Sequence, residues 1–223
     1  MSFLLLLFSM ALTVGQQAAP QAPAPPTRPQ ILRGEYGKLR SNNDLLYYHL
    51  DVKVDPDAKT IAGKNTIKFR MLDDAASIQI DLYANLNVDK ILLGTTPLKY
   101  TREVNAVFIE FPTPLKMGRE YAIYFFYSGT PTQTGRFGGF TFGKDPAGRP
   151  WIFTACEGEG SSIWWPSKDQ WKDEVESMDI SVTAPSARTK RHRVSSRNRP
   201  TTPGRVELTE VLNEDNLELS MTV

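Results

Sequence analysis

The sequence predicts an all-β fold, an antiparallel multi-stranded β-sandwich or saddle-like domain. Short segments in which apolar and polar residues alternate recur along residues 46–127, and a period of two is typical of half-buried strands. Glycine, proline and aspartate separate these segments at intervals of about 8 to 12 residues. No window has the period of an amphipathic helix. The pattern therefore predicts sheets that pack face to face.

The first two segments predict a hairpin. Residues 46–54 place apolar side chains on one face and polar side chains on the other. Asp55-Pro56-Asp57 follows, and it favours a turn, because proline fixes φ and aspartate bonds to nearby backbone. Residues 61–71 alternate again, so they are predicted to pair with the first segment. The first apolar face consists of Tyr48, Leu50, Val52 and Val54.

Later segments of the same kind predict further strands, with glycine and proline between them. A return strand is predicted where Met178, Ile180 and Val182 alternate. The other predicted strands are Ser77–Tyr83, Val88–Leu93, Ala106–Phe111 and Tyr121–Tyr127.

The N-terminal region predicts export to the periplasm or secretion. An apolar run from Phe3 to Val14 precedes small residues, which is the pattern of a signal peptide over residues 1–19. The run is shorter than the roughly 20 residues that cross a bilayer, so no stable membrane anchor is expected after cleavage. A buried hydrophobic helix is the alternative. Residues 20–42 are predicted to form a Pro/Ala-rich linker, a composition that favours extended backbone. Residues 43–186 are predicted to form the folded domain.

The C-terminal region changes character abruptly. Residues 188–205 are strongly basic, whereas residues 206–223 contain no lysine or arginine. Blocks of like charge are typical of disordered tails, and residues 187–223 are predicted to form one. We hypothesise that the reading frame shifts near residue 187. A nucleic-acid site is disfavoured, because the basic block has no interleaved aromatic residue and the net charge of the chain is only +1.

Few residues are available for metal binding or nucleophilic catalysis. His49 and His192 are the only histidines, and they do not form a zinc motif. His49 is predicted to be a half-exposed strand residue, and Cys156 a structural cysteine, because no cation adjoins it in the sequence. Residues 135–139 resemble a phosphate-binding loop only superficially, so a β-turn is predicted there. No metal ligand and no catalytic residue is predicted in this chain.

The stretch TACEGEGSSIWWPSKDQ, residues 154–170, is the candidate site. Its glycines allow the backbone to approach a ligand closely, because glycine has no Cβ. Glu157 and Glu159 place two carboxylates on this backbone, and a carboxylate is the natural partner of a protonated amine. An acidic surface turn is the alternative interpretation.

Residues 47–185 resemble the N-terminal β-domain of the aminopeptidase N family of zinc metallopeptidases. The resemblance is carried by YYHLDVKVDPDAKTIAGKNTIKF, SIQIDLYANLNVDKI, REYAIYFFYSG and, most specifically, GRPWIFTACEGEGSSIWWPSKDQWKDEVESMDISVTAP. In that family a loop often reading Gln-Cys-Glu-Ala-Glu-Gly enters the catalytic cleft, where its glutamate binds the α-amine of the peptide substrate.

The resemblance implies a role for each residue of the loop. Glu157 corresponds to the amine-binding glutamate, Cys156 and Glu159 are in register with the motif, and Ala155 stands where the family has glutamine. The aromatic pair and proline that support the loop against the catalytic domain correspond to Trp164, Trp165 and Pro166. The family's zinc and general base belong to a thermolysin-like domain that follows, and we find no counterpart of it in this sequence, so no cofactor is expected here.

Three functions remain open on the sequence alone. The first is a truncated, non-catalytic domain that anchors peptide N-termini and is inactive without its catalytic domain. The second is a stand-alone exported β-sandwich that binds peptides or a protein partner through an exposed face at residues 164–166. The third is a hydrolase with an unrecognised site, which the two histidines disfavour.

Overall fold

The computed structural model describes residues 25–133, 138–156, 158–184, 192–196, 207–210 and 218–222. Two short helices come first, α1 (Arg28–Gly34) and α2 (Lys38–Ser41), and a 3-10 helix spans Ser161–Ile163. The strands are β1 (Asn43–Asp55), β2 (Thr60–Met71), β3 (Ala75–Asp81), β4 (Leu86–Leu93), β5 (Thr96–Pro97), β6 (Lys99–Glu103), β7 (Ala106–Leu115), β8 (Glu120–Gly129), β9 (Gly138–Lys144), β10 (Pro150–Cys156), β11 (Ser177–Thr183), β12 (His192–Ser196), β13 (Glu207–Glu210) and β14 (Glu218–Thr222).

The described strands form three sheets that do not close into a barrel, which confirms the predicted all-β sandwich-like fold. The largest sheet has the order β12-β11-β1-β2-β8-β4-β5, and the others are β13-β14-β10-β9 and β3-β7-β6. One apolar core joins them, because side chains of all three sheets belong to the same buried cluster. Leu50, Ile109 and Ile152 represent the three sheets in this cluster.

The predicted hairpin is confirmed. β1 and β2 pair antiparallel, with Leu50 opposite Asn65. The predicted apolar face of β1 is buried in the core, while Asp51 and Lys53 on the other face are exposed. The alternation of side chains along a strand therefore decided which residues entered the core.

The return strand β11 runs parallel to β1, with Ile180 beside Leu50. All other pairs in this sheet are antiparallel among the described strands. A parallel neighbour requires a long crossover connection. The segment between β10 and β11, residues 157–176, is therefore the place where the chain returns to β1, and this segment contains the candidate site.

The prediction of an extended linker is wrong for residues 28–41, most of which are helical and pack on the domain. Pro29 lies in the first turn of α1, where the missing N–H of proline costs nothing. Thr27 and Gln30 form a capping box at this end. Leu32 and Arg40 are buried, so contacts with the sheets, rather than helix propensity, hold these short helices.

The predicted signal peptide, residues 1–19, lies outside the described residues, and so does most of the predicted tail. Within residues 187–223 the structure describes β12, β13 and β14, of which β12 extends the largest sheet beside β11. Among the described residues no helix has the length and apolar character needed to cross a membrane.

Candidate functional site

The candidate loop begins where β10 ends. Ala155 and Cys156 are the last residues of β10, where they pair with Gly139 and Gly138 of β9. Glu157, the predicted amine-binding residue, lies outside the described residues. The backbone is described again from Gly158.

A tight turn follows β10. The backbone N–H groups of Glu159 and Gly160 both donate to the carbonyl oxygen of Cys156, at 3.2 and 2.9 Å. Gly158 and Gly160 have φ of +74° and +81°, a conformation that costs other residues free energy. A Cβ at position 160 would lie 2.0 Å from a carboxylate oxygen of Asp169. Gly160 is therefore required both by its φ and by the close approach of Asp169.

Glu159 is held from two directions. Its Oε2 accepts a hydrogen bond from the hydroxyl of Tyr83 at 2.7 Å and lies 3.6 Å from Nη2 of Arg33. The same nitrogen of Arg33 donates to the carbonyl oxygen of Gly158. Burial, assisted by the bond to Glu159, raises the pKa of Tyr83 to about 12, so Tyr83 is a hydrogen-bond donor at neutral pH.

Asp169 fixes the following residues. Its Oδ2 accepts a hydrogen bond from the hydroxyl of Ser162 at 2.6 Å, and its own N–H donates to Oδ2 of Asp81 at 3.1 Å. Two backbone hydrogen bonds between Asp81 and Ser167, at 2.8 and 3.0 Å, attach the loop to the end of β3. The loop is therefore part of the sheet framework.

A buried ion pair lies beneath this attachment. Nη2 of Arg40 is 2.7 Å from Oδ2 of Asp81, and their side chains are 1% and 5% exposed. Nη1 of Arg40 donates to the carbonyl oxygens of Arg33 and Glu35, while Gln79 donates to Asp81. Burial raises the pKa of Asp81 to about 6, and the charge of Arg40 opposes that rise. Removing either partner would leave a charge unpaired in the core.

The two adjacent tryptophans are buried in this domain. Trp164 and Trp165 are 0% and 1% exposed, Trp165 meets Tyr48 edge-on at 5.0 Å between ring centroids, and Trp164 packs on Phe140. Pro166 is buried too, and its carbonyl oxygen accepts a hydrogen bond from Asn65 at 2.8 Å.

The expectation of an exposed surface at residues 164–166 is therefore wrong. Apolar rings of this size stabilise the fold most when they are removed from water. The exposed tryptophan of the described loop is instead Trp171, of which 83% is accessible.

Lys168 ties the loop to β1. Its ammonium donates to the carbonyl oxygen of Asn43 at 2.7 Å and forms an ion pair with Asp173, while its backbone N–H donates to Tyr48. The side chain is fully buried, and burial lowers its pKa, against the opposing effect of Asp173. These contacts place the second half of the loop against the N-terminal end of β1.

The lone cysteine is unsuited to nucleophilic chemistry. Burial raises the pKa of Cys156 to about 11, although the adjacent Trp164 acts in the opposite direction. Thiolates, rather than thiols, are the reactive form.

His49 occupies the outer face of β1, where its Nε2 lies 3.1 Å from Oγ of Ser181. Among the described residues no group of three metal-ligating side chains comes together. These residues therefore do not fit a zinc ion.

A cavity of about 210 Å³ opens beside the loop. Its walls come from α1 and α2, from the end of β3, from the turn between β6 and β7, and from the loop itself. Ser162 and Asp169 are the loop residues that line it.

Sequence reasoning missed most residues that hold the loop. Arg40 stood in the predicted linker, and Asp81 and Tyr83 looked like ordinary residues of a strand. The sequence did mark Gln79 and Asp81 as unusual, because they are polar residues within the otherwise apolar segment of residues 78–82. They lie on the face of the strand opposite Ile78 and Ile80. All four of these residues are buried, which means that both faces of this strand are covered.

The similarity of this chain to known proteins lies in its structure. No family model and no curated protein matches the chain. A crystal structure of a mutant M1 zinc metallopeptidase from Deinococcus radiodurans matches with a TM-score of 0.55 and 21% identity, over 66% of this chain and 33% of that chain. The same mutant bound to a Tyr-Ser-Ala substrate matches over the same shares, with a TM-score of 0.54 and 21% identity.

A two-domain M1 zinc metallopeptidase mutant bound to L-arginine matches with a TM-score of 0.55 and 22% identity, over 66% of this chain and 33% of that chain. The chain therefore spans about one third of the length of these metallopeptidases. The described part of this chain has the fold of the N-terminal-type domain of M1 zinc metallopeptidases.

Proposed function

We propose that this chain is the non-catalytic domain of a zinc aminopeptidase that anchors the N-terminus of a peptide, with Glu157 as the group that binds the ammonium. The observation that carries the proposal is the turn after β10, whose backbone is fixed on both sides of the ligand-binding position. Cys156 accepts two backbone hydrogen bonds from this turn, and Asp169 packs directly against Gly160. A carboxylate on such a turn needs little reorganisation to bind a cation.

The catalytic part of the reaction belongs to another domain. The described residues hold no metal cluster, and the metallopeptidases of similar fold are about three times as long as the matched region. One of them was crystallised with a tripeptide substrate. We propose that a thermolysin-like catalytic domain supplies the zinc, that this chain is inactive alone, and that the protein is exported.

Selection for chain ends follows from the charge of the terminal amine. A hydrogen bond between an ammonium and a carboxylate contributes about 1.5 to 3 kcal/mol. An internal segment of a peptide has no such ammonium and loses that contribution. Ala155 stands where the family has glutamine, so a contact from that side chain is not part of the proposal.

The test is binding of Tyr-Ser-Ala and of its N-acetylated form to the purified chain, followed by fluorescence or calorimetry. The free peptide should bind at least tenfold more tightly, and Glu157→Gln should remove this difference. Glu176→Gln is the matched control, because Glu176 is an exposed carboxylate of the same connection. Equal affinity for both peptides, or a difference that survives Glu157→Gln, would reject the proposal.

A stand-alone binding module is the second candidate, and the exposure of Trp171 favours it. Large exposed aromatic side chains are enriched in protein interfaces. Under this function Trp171→Ala should abolish capture of a specific partner from a periplasmic extract. Under the first function the peptide affinity of the chain should not depend on Trp171.

A further inference from the structure

The cavity beside the loop has the size of a small metabolite. Its volume of about 210 Å³ equals that of about seven liquid water molecules, which accommodates a ligand of roughly ten non-hydrogen atoms. Apolar groups form much of its wall, including Leu32, Val104 and Ala106. Four charged side chains also line it, two basic and two acidic: Arg33, Arg40, Asp81 and Asp169.

Two of the four charges cancel. Arg40 and Asp81 form the buried ion pair at 2.7 Å. The Nε of Arg40 is nevertheless buried and has no hydrogen-bond partner among the described residues. A buried donor without a partner is costly, so this nitrogen adds to the cost of burying the pair.

The other two charges do not pair with each other. Asp169 uses Oδ2 for Ser162, and none of the described residues donates to its Oδ1 or forms an ion pair with it. Among the residues that the structure describes, Arg33 makes its contacts through Nη2 alone, which donates to the carbonyl oxygen of Gly158 and lies 3.6 Å from Oε2 of Glu159. Within the described part of the chain, the cavity thus has one carboxylate oxygen without a partner and one guanidinium with spare donors.

An apolar contact completes the site. Val104 at the rim is 45% exposed and has a φ of +54°, which is unusual for a β-branched residue. Its side chain can therefore contact a ligand that enters between α1 and the turn formed by Val104 and Asn105.

We propose that this cavity binds a free α-amino acid with an apolar side chain. The ammonium of the ligand contacts Asp169, its carboxylate contacts Arg33, and its side chain packs against Leu32, Val104 and Ala106. The proposal does not depend on the proposed peptide-anchoring function. The cavity adjoins the loop, because Ser162 and Asp169 belong to the loop and also line the cavity.

L-leucine is the probe, and methyl resonances of the purified, isotope-labelled chain are the readout. Leucine should shift the methyl signals of Leu32, Val104 and Ala106 in a saturable way. Leucinamide, which has no carboxylate, and 4-methylpentanoate, which has no ammonium, should each bind at least tenfold more weakly. No shift at 20 mM leucine overturns the proposal. Shifts confined to the backbone amide signals of Gly158 and Gly160, recorded on the same labelled chain, overturn it too, and they place the ligand at the loop of the proposed function.

Two variants test the two charges separately. Asp169→Asn should weaken leucine binding at least tenfold, and Arg33→Gln should weaken leucine binding while leaving leucinamide binding unchanged. Asp57→Asn and Arg119→Gln are the controls, because both residues are exposed and neither lines the cavity.

Unchanged leucine affinity in either variant overturns the proposal. Asp169 also holds the loop, so its variant is first checked for folding. If it does not fold, Arg33→Gln decides alone, and an equal loss of leucine and leucinamide binding overturns the proposal.

Discussion

Nη2 of Arg40 in α2 lies 2.7 Å from Oδ2 of Asp81 at the end of β3, and both side chains are almost completely buried. Asp81 in turn bonds Ser167 and Asp169 of the candidate loop. The N-terminal helices, the sheet and the loop therefore meet at one charged pair. This connection makes the segment before β1 part of the site.

Replacing Arg40 should destabilise the protein in a pH-dependent way. The folded-state pKa of Asp81 is about 6, whereas an unfolded aspartate titrates near 3.9, so the folded state binds this proton more tightly. Stability of the natural protein should therefore fall as pH rises from about 4 to about 6. Arg40→Met should cost about 3 to 5 kcal/mol above pH 7, and less at pH 5, where protonated Asp81 leaves no unpaired charge.

Urea unfolding at pH 5 and pH 8 measures this difference. Arg28→Met is the control, because Arg28 forms an exposed ion pair with Glu103 and such pairs contribute little. The explanation fails if Arg40→Met costs the same free energy at both pH values.

The two glycines of the turn should respond differently to alanine. Gly158→Ala should lower the free energy of unfolding by about 1 to 2 kcal/mol, the cost of a positive φ for a residue with a Cβ. No steric cost is added, because nothing lies within 4 Å of a Cβ at this position. Gly160→Ala should cost more, since its Cβ would meet the carboxylate of Asp169 at 2.0 Å. Urea unfolding of both variants checks the order, and equal costs would show that Asp169 moves away freely.

The buried and exposed tryptophans offer a second matched pair. Trp165→Ala should destabilise the domain by about 3 to 5 kcal/mol, as is typical of large aromatic residues in a core. Trp171→Ala should change stability by no more than about 0.5 kcal/mol. Circular dichroism during urea unfolding measures both, and a neutral Trp165→Ala variant would contradict the packing described here.

Cys156 should react slowly with alkylating reagents in the folded protein. With a pKa of about 11, its thiolate fraction at pH 7.4 is on the order of 10⁻⁴ to 10⁻³, whereas a free cysteine with a pKa near 8.5 is several per cent ionised. Iodoacetamide should therefore modify the folded chain roughly a hundredfold more slowly than the chain unfolded in urea. Mass spectrometry measures both rates, and similar rates would contradict the burial of the thiol.

Alternation along the chain was enough to predict the hairpin of β1 and β2 and the strands around Ile80, Ile91 and Phe125. Side chains of a strand point to opposite faces in turn, so this information is local. The candidate loop was equally local, because its glycines and carboxylates are adjacent in the sequence. The parallel placement of β11 was not predictable, since the direction in which a strand pairs depends on the rest of the sheet.

The sequence by itself determined the all-β class, the faces of the principal strands and the position of the candidate loop. Only the tertiary structure decided that α1 and α2 pack on the domain, that Trp164 and Trp165 enter the core, and that Arg40 meets Asp81. The physical reason is that the local pattern of apolar and polar residues does not show whether a charged side chain or an aromatic ring will be buried. Its role depends on what removes it from water, and those partners come from distant parts of the chain.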